Sequence, residues 1–236
     1  MRTHKYGTTE PQRGIEMAWQ QFEHGWRRAP ANTAAPARAL VVLLHGVGSS
    51  AQDLLPLGDS WCTTLPDVAF VSLDGSEPFD GGFGGRQWFS LRNINETSRA
   101  ARVADAYPAL RRMLDNELAH WQISFEKLSL VGFSQGSIMA LHHVATRDEA
   151  LAAVVAYSGR LASAISAHTH TPVTLVHGVE DPVIPVLELE RAANALSDAG
   201  FAVAAFALPE IGHTISGEGL LLGRNALLRG LGSQAQ

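Results

Sequence analysis

The apolar run Leu128-Ser129-Leu130-Val131 leads directly into Gly132-Phe133-Ser134-Gln135-Gly136, and the sequence beyond favours a helix. A strand that closes on G-x-S-x-G and passes straight into a helix must turn so sharply that the serine stands alone above the sheet edge. Gly132 and Gly136 suit that turn, because β-carbons there would crowd the adjoining strand. A helix opening at Ser134 also points the positive end of its dipole at any anion forming beside the hydroxyl. The pentapeptide therefore calls for a sheet whose strands are followed by helices, and it nominates Ser134 as a nucleophile.

The remainder of the chain supplies such a sheet. Short, predominantly apolar runs occur at Leu40–Leu44, Ala69–Leu73, Leu128–Val131, Ala152–Tyr157, Val173–Val176 and Ala202–Leu208. None alternates with polar residues, the pattern of parallel strands covered on both faces. Between them Val103, Tyr107, Leu110, Leu114, Leu118 and Trp121 recur at helical spacing, with a kink or break expected at Pro108, which lacks an amide donor. Further helices are predicted over about 135–147, 186–199 and 216–230. Strand and helix in alternation predict an α/β fold with a doubly wound, mostly parallel sheet and helices on both faces.

Residues 1–38 have another character. Ile15, Trp19, Phe22 and Trp26 fall at i, i+4, i+7 and i+11, which predicts an amphipathic helix, and the segment from Ala29 to Ala37 reads as an Ala/Pro linker. The expected organisation is an extension over 1–38 and one α/β domain over 39–236.

Composition narrows the function classes. A chain of 236 residues with 46% hydrophobic and 17% charged residues can bury a substantial core. A formal net charge of −5 with no basic cluster argues against nucleic acid as a partner. One cysteine, Cys62, excludes an intrachain disulfide framework and reads as a packing residue. No stretch has the length of a membrane-spanning helix, and the segment from Met1 to Tyr6 lacks the apolar core of a signal peptide, so a cytoplasmic location is expected.

A serine hydroxyl is a poor nucleophile at neutral pH and needs a base, normally histidine, oriented by a carboxylate. On a sheet of this kind the chain order should be serine, acid, histidine, with the last two on loops after later strands. The segment His177-Gly178-Val179-Glu180-Asp181-Pro182-Val183 follows the run Val173–Val176, and Pro209-Glu210-Ile211-Gly212-His213 follows Ala202–Leu208. Asp181 is preferred to Glu180 because it is shorter and precedes Pro182, which fixes an extended turn. Of the ten histidines, only His213 has both the required order and a glycine-containing loop after a strand. His142 and His143 read as packing or surface residues behind the elbow, and His168 with His170 lacks a third ligand for a metal. An anion pocket for a tetrahedral intermediate would take one amide from Gln135 and one from the loop His45-Gly46-Val47-Gly48-Ser49-Ser50, assigned to Val47.

These residues resemble the phospholipase/carboxylesterase family of α/β-hydrolases, which includes bacterial carboxylesterases and acyl-protein thioesterases. The resemblance rests on Leu43-Leu44-His45-Gly46-Val47-Gly48, Gly132-Phe133-Ser134-Gln135-Gly136, His177-Gly178 with Asp181-Pro182-Val183, and Gly212-His213, and it spans about residues 40–230. Gly85-Arg86-Gln87-Trp88-Phe89 further resembles a bacterial esterase branch. The resemblance implies an α/β-hydrolase fold and Ser134, Asp181 and His213 as a triad, with Val47 and Gln135 as oxyanion donors. Its substrates would be small-molecule carboxylic esters or thioesters, extending to acylated lipids or proteins, and no metal or organic cofactor would be required. Trp88 and Phe89 read either as a wall of the acyl pocket or as ordinary core.

Two rival readings compete. Gly46-Val47-Gly48-Ser49-Ser50-Ala51 matches the dinucleotide fingerprint G-x-G-x-x-A, with Asp74 at the end of the next strand. Pro56, Gly58 and Pro66 then interrupt the helix this motif needs, and the elbow is left unexplained. A non-catalytic receptor with the same fold would have no use for a nucleophile, a base, an acid and an anion loop together. The sequence leaves oligomeric state, natural substrate and acyl length open.

Overall fold

The computed structural model describes residues 18–32, 34–82 and 84–232. Its strands are β1 (Trp19–Phe22), β2 (Gly25–Arg28), β3 (Ala39–Leu44), β4 (Val68–Leu73), β5 (Glu77–Pro78), β6 (Arg86–Gln87), β7 (Leu128–Phe133), β8 (Ala153–Tyr157), β9 (Val173–Gly178) and β10 (Val203–Leu208). Its helices are α1 (Leu55–Cys62), α2 (Glu96–Trp121), α3 (Gln135–Thr146), α4 (Leu187–Asp198) and α5 (Gly217–Gly232). Eight strands form one sheet in the order β1-β2-β4-β3-β7-β8-β9-β10. From β4 to β10 every pairing is parallel.

Alternation along each central strand divides the core into two layers. Leu40, Val42 and Leu44 face α2, α3 and α4, whereas Ala39, Val41 and Leu43 face α1 and α5. The predicted doubly wound α/β fold is therefore the observed one. Strand order reverses at β3, which has β4 on one side and β7 on the other. Loops leaving the carboxyl ends of strands on either side of such a reversal diverge and leave a crevice between them. The loop after β3 and the elbow after β7 flank that crevice.

Three expectations are corrected. Trp19, Phe22 and Trp26 lie on an antiparallel β-hairpin instead of an amphipathic helix, and Ile15 falls outside the described residues. Strand β2 continues the sheet by pairing antiparallel with β4. The helical spacing misled because Trp19 and Phe22 serve opposite layers: Trp19 joins the layer of α1 and α5, and Phe22 packs against the other. Residues three apart face opposite ways in a strand but share a helix face. The hairpin is fastened to α2 by Arg27, whose guanidinium lies over the Phe22 ring and donates two hydrogen bonds, at 2.6 and 2.8 Å, to the buried Glu117 carboxylate.

The second correction concerns Pro108, which does not break α2. The carbonyl left without a donor belongs to Ala104, on the solvent face, where water can satisfy it. Val103, Tyr107, Leu110, Leu114 and Leu118 hold the opposite face in the core. Third, β10 is not covered on both faces. It is an edge strand paired only with β9, and only Leu208 of its six residues is fully buried.

Candidate active site

The site is built on four strand ends. Ser134 follows β7 and caps α3 with φ 52° and ψ −114°, a conformation rarely adopted by non-glycine residues and costing on the order of 1–3 kcal/mol. The neighbours hold it there. Ser134 N donates to Tyr157 O at 2.9 Å, and Ser137 Oγ donates to the same carbonyl at 2.7 Å. A β-carbon on Gly136 would lie 2.0 Å from the Leu44 carbonyl oxygen, so only glycine lets α3 press against the end of β3.

Asp181 and His213 reach Ser134 from two loops that are bonded to each other. Val179 N donates to Leu208 O and Glu180 N to Ile211 O, each at 2.9 Å. The approach is so close that a β-carbon on Gly178 would meet Ile211 O at 2.2 Å. Asp181 Oδ1 accepts from Val183 N at 2.8 Å and Ile184 N at 2.9 Å, which aims Oδ2 at His213 Nδ1, 2.7 Å away. His213 Nε2 lies 3.0 Å from Ser134 Oγ. Burial alone would raise the Asp181 pKa, but the hydrogen bonds from His213, Ile184 and Val183 outweigh it and hold the carboxyl below its ordinary range. An ionised carboxylate only accepts, so the proton of His213 resides on Nδ1 and Nε2 is left to accept from the serine. Glu180, the rival acid, is exposed. The ring of Phe133 packs 5.0 Å from that of His213.

Sequence reasoning did not assign a role to His177, which touches this cluster. Its Nε2 lies 2.8 Å from Ile184 O and 3.3 Å from Asp181 Oδ2, so the buried imidazole backs the turn that presents the acid. The signal was its place at the end of β9, four residues before Asp181.

The remaining elements of the site are the loop 45–50 and the start of α3. The Val47 and Gln135 amides have no protein acceptor among the described residues. At Gln135 the reason is position, since the first amides of a helix have no intrahelical partner. The elbow and the loop are cross-linked by the segment 86–89. Gly48 N donates to Arg86 O, Arg86 N donates to Ser49 O, and Trp88 Nε1 donates to His45 O. From the elbow, Gln135 Oε1 accepts from Trp88 N at 2.8 Å and Gln135 Nε2 donates to Phe89 O at 2.7 Å. Trp88 and Phe89, 1% and 2% exposed, pack in the core, in keeping with the second of their two readings. Their main chain is a strut between the two expected amide donors.

Asp74, expected on a ribose in the dinucleotide reading, instead accepts from Ala51 N at 2.7 Å. Contrary to expectation, Pro56 and Gly58 do not interrupt the helix that follows: Pro56 stands in the first turn of α1, where no intrahelical amide donor is needed. Helix α1 continues a 3₁₀ turn, Ala51–Leu54, so no helix opens at the motif's second glycine, Gly48. His142 and His143 are buried behind the elbow. Among the described residues no helix is long and apolar enough to cross a membrane.

A family profile described as Phospholipase/Carboxylesterase matches residues 29–222. The chain is 36% identical over 185 residues to Esterase YpfH of Escherichia coli (strain K12), a match covering 76% of this chain and 78% of that protein. It is 24% identical over 204 residues to Acyl-protein thioesterase 1 of Gibberella zeae, covering 77% of this chain and 86% of the other. The crystal structure of esterase PE8 superposes with a TM-score of 0.80 at 32% identity, covering 86% of this chain and 97% of that one.

Proposed function

The chain belongs to the phospholipase/carboxylesterase family of α/β-hydrolases, which makes it a serine ester hydrolase, and we propose that it works through an acyl-enzyme on Ser134. The observation that carries this reading is the His213 imidazole, 2.7 Å from Asp181 on one side and 3.0 Å from Ser134 Oγ on the other. Ser134 Oγ attacks the substrate carbonyl carbon while its proton passes to His213 Nε2. Asp181 faces the imidazolium that results, and the Val47 and Gln135 amides receive the negative charge on the carbonyl oxygen. As the intermediate collapses, the bond to the leaving oxygen or sulfur breaks and His213 delivers its proton there. A water then loses its proton to His213 and attacks the acyl carbon, and the proton returns to Ser134 as the acid departs. No step calls on a metal or organic cofactor.

The substrate is a small ester or thioester. Val183, whose amide donates to Asp181 Oδ1, has a 60% exposed apolar side chain close in sequence to the proposed acid, a candidate contact for an acyl chain. The test is labelling by a fluorophosphonate together with hydrolysis of p-nitrophenyl acetate. Labelling and turnover in the native protein, both abolished by Ser134→Ala, are expected; full turnover in Ser134→Ala or His213→Ala overturns the reading. A series of p-nitrophenyl esters and acyl thioesters of increasing chain length then ranks the substrates.

A further inference from the structure

His45 stands at the end of β3 with its side chain fully buried, outside the triad. Both ring nitrogens are engaged. The main-chain amide of Gly75 donates to Nε2 at 2.9 Å, and Nδ1 lies 2.6 Å from the carbonyl oxygen of Gly46. A main-chain N–H can only donate, so Nε2 accepts, the ring proton sits on Nδ1, and Nδ1–H donates to Gly46 O. That carbonyl belongs to the same peptide unit as the Val47 N–H. In a trans peptide the two point in opposite directions, so fixing the carbonyl toward His45 fixes the amide away from it. The peptide adjoins the nucleophile, since a β-carbon on Gly46 would come within 3.3 Å of Ser134 Cβ.

Such a lock has a physical purpose. Besides the ring, the Gly46 carbonyl accepts one longer bond, from Ser49 N at 3.3 Å, and Gly46, whose ψ turns with that peptide, has no side chain to resist the rotation. A flipped peptide would turn carbonyl lone pairs, instead of an N–H, toward a developing oxyanion. We infer that His45 is a positioning residue that holds the Gly46–Val47 peptide with its N–H facing the anion pocket. Burial pushes the His45 pKa down, which keeps the ring in the neutral form this arrangement needs. The inference rests on the hydrolase reading above.

Two polar variants separate the two ends of the ring. Asparagine reaches about as far as Nδ1 and can still donate to Gly46 O; glutamine reaches about as far as Nε2 and can still accept from Gly75 N. Turnover of p-nitrophenyl acetate, affinity for a trifluoromethyl ketone that forms a hemiketal oxyanion on the serine, and thermal unfolding are measured for both. His45→Asn is expected to keep kcat within about tenfold of the native protein. His45→Gln is expected to lose about 10²–10³ in kcat, the cost of one oxyanion donor, with KM little changed and a parallel loss of ketone affinity. Glutamine matching asparagine, a loss confined to KM, or undiminished ketone affinity in the glutamine variant overturns the inference. Should the glutamine variant not fold, a fall of 10² or more in folded His45→Asn does so by itself. A native protein that neither turns over ester nor takes the fluorophosphonate label would sink the hydrolase reading instead, so the two failures are distinguishable.

Discussion

The loops that bear Asp181 and His213 are joined by main-chain hydrogen bonds and present side chains to the site, whereas the side that bears Val47 and Gln135 presents main-chain amides braced on a strut. On the first side the proposed reacting groups are themselves side chains, fixed by contacts of 2.7–3.0 Å. On the second they are backbone amides, and side chains act one step removed: His45 on the Gly46 carbonyl, Gln135 on Trp88 and Phe89. Changing a residue on the first side deletes chemistry. Changing one on the second alters where a peptide points, and the effect is expected to be graded.

Asp181→Asn should have the largest effect. The amide oxygen can go on accepting from Val183 and Ile184, but its NH₂ then faces His213 Nδ1 and favours the tautomer with the proton on Nε2, directed at the serine. A loss of about 10⁴ in kcat with little change in thermal stability is expected from steady-state kinetics and a melting curve. On the other side, Gln135→Leu leaves the main-chain amide in place and removes both bonds to the strut. A decrease of about 10- to 100-fold in kcat, with KM nearly constant, would show that sub-ångström placement of the amides matters. A loss as large as that of Asp181→Asn would erase the distinction between the two sides.

Acid separates stability from chemistry. His142 and His143, on the helix behind the elbow, are both pushed down to about 4, chiefly by burial. The unfolded chain takes up these protons near pH 6.5, whereas the folded protein refuses them until about pH 4. Between those values the unfolded state binds more protons, so stability is complete above 6.5 and declines as the pH falls. At pH 5 the fully buried His143 alone should cost on the order of 2 kcal/mol, roughly 30-fold in the folding equilibrium, measurable by urea denaturation at pH 7 and pH 5. Asp181 behaves differently: with its pKa depressed, its contribution persists above the ordinary carboxylate range and is lost only at still lower pH. The smallest effect is expected from Trp88→Phe. It removes the indole donor to the His45 carbonyl and keeps most of the buried ring, so kcat should fall only about 3- to 10-fold, checked with p-nitrophenyl acetate.

The parts of the molecule legible in the sequence were those whose physics is local. The run before Gly132 fits a buried strand, and the glycines two residues to either side of Ser134 fit a sharp turn after it. The histidine and aspartate loops were found because each follows an apolar run in the required order. The hairpin β1–β2 was missed because three aromatic residues happened to satisfy a helical period. What decides their structure is the open edge of β4, whose residues pair with partners 42 to 48 positions earlier in the chain. The strut escaped the sequence for a similar reason: Trp88 and Phe89 read equally as pocket wall or as core, and their bracing role depends on the side chain of Gln135 and the carbonyl of His45.

The sequence by itself therefore determined the alternation of strand and helix and singled out the proposed nucleophile, acid and base, because apolar periodicity and turn chemistry operate within a few residues. Only the tertiary structure decided which strand forms each edge, how the two amide donors are braced, and that His45 and His177 stand behind the reacting groups. Those outcomes depend on hydrogen bonds between segments distant in sequence, and no local pattern records them.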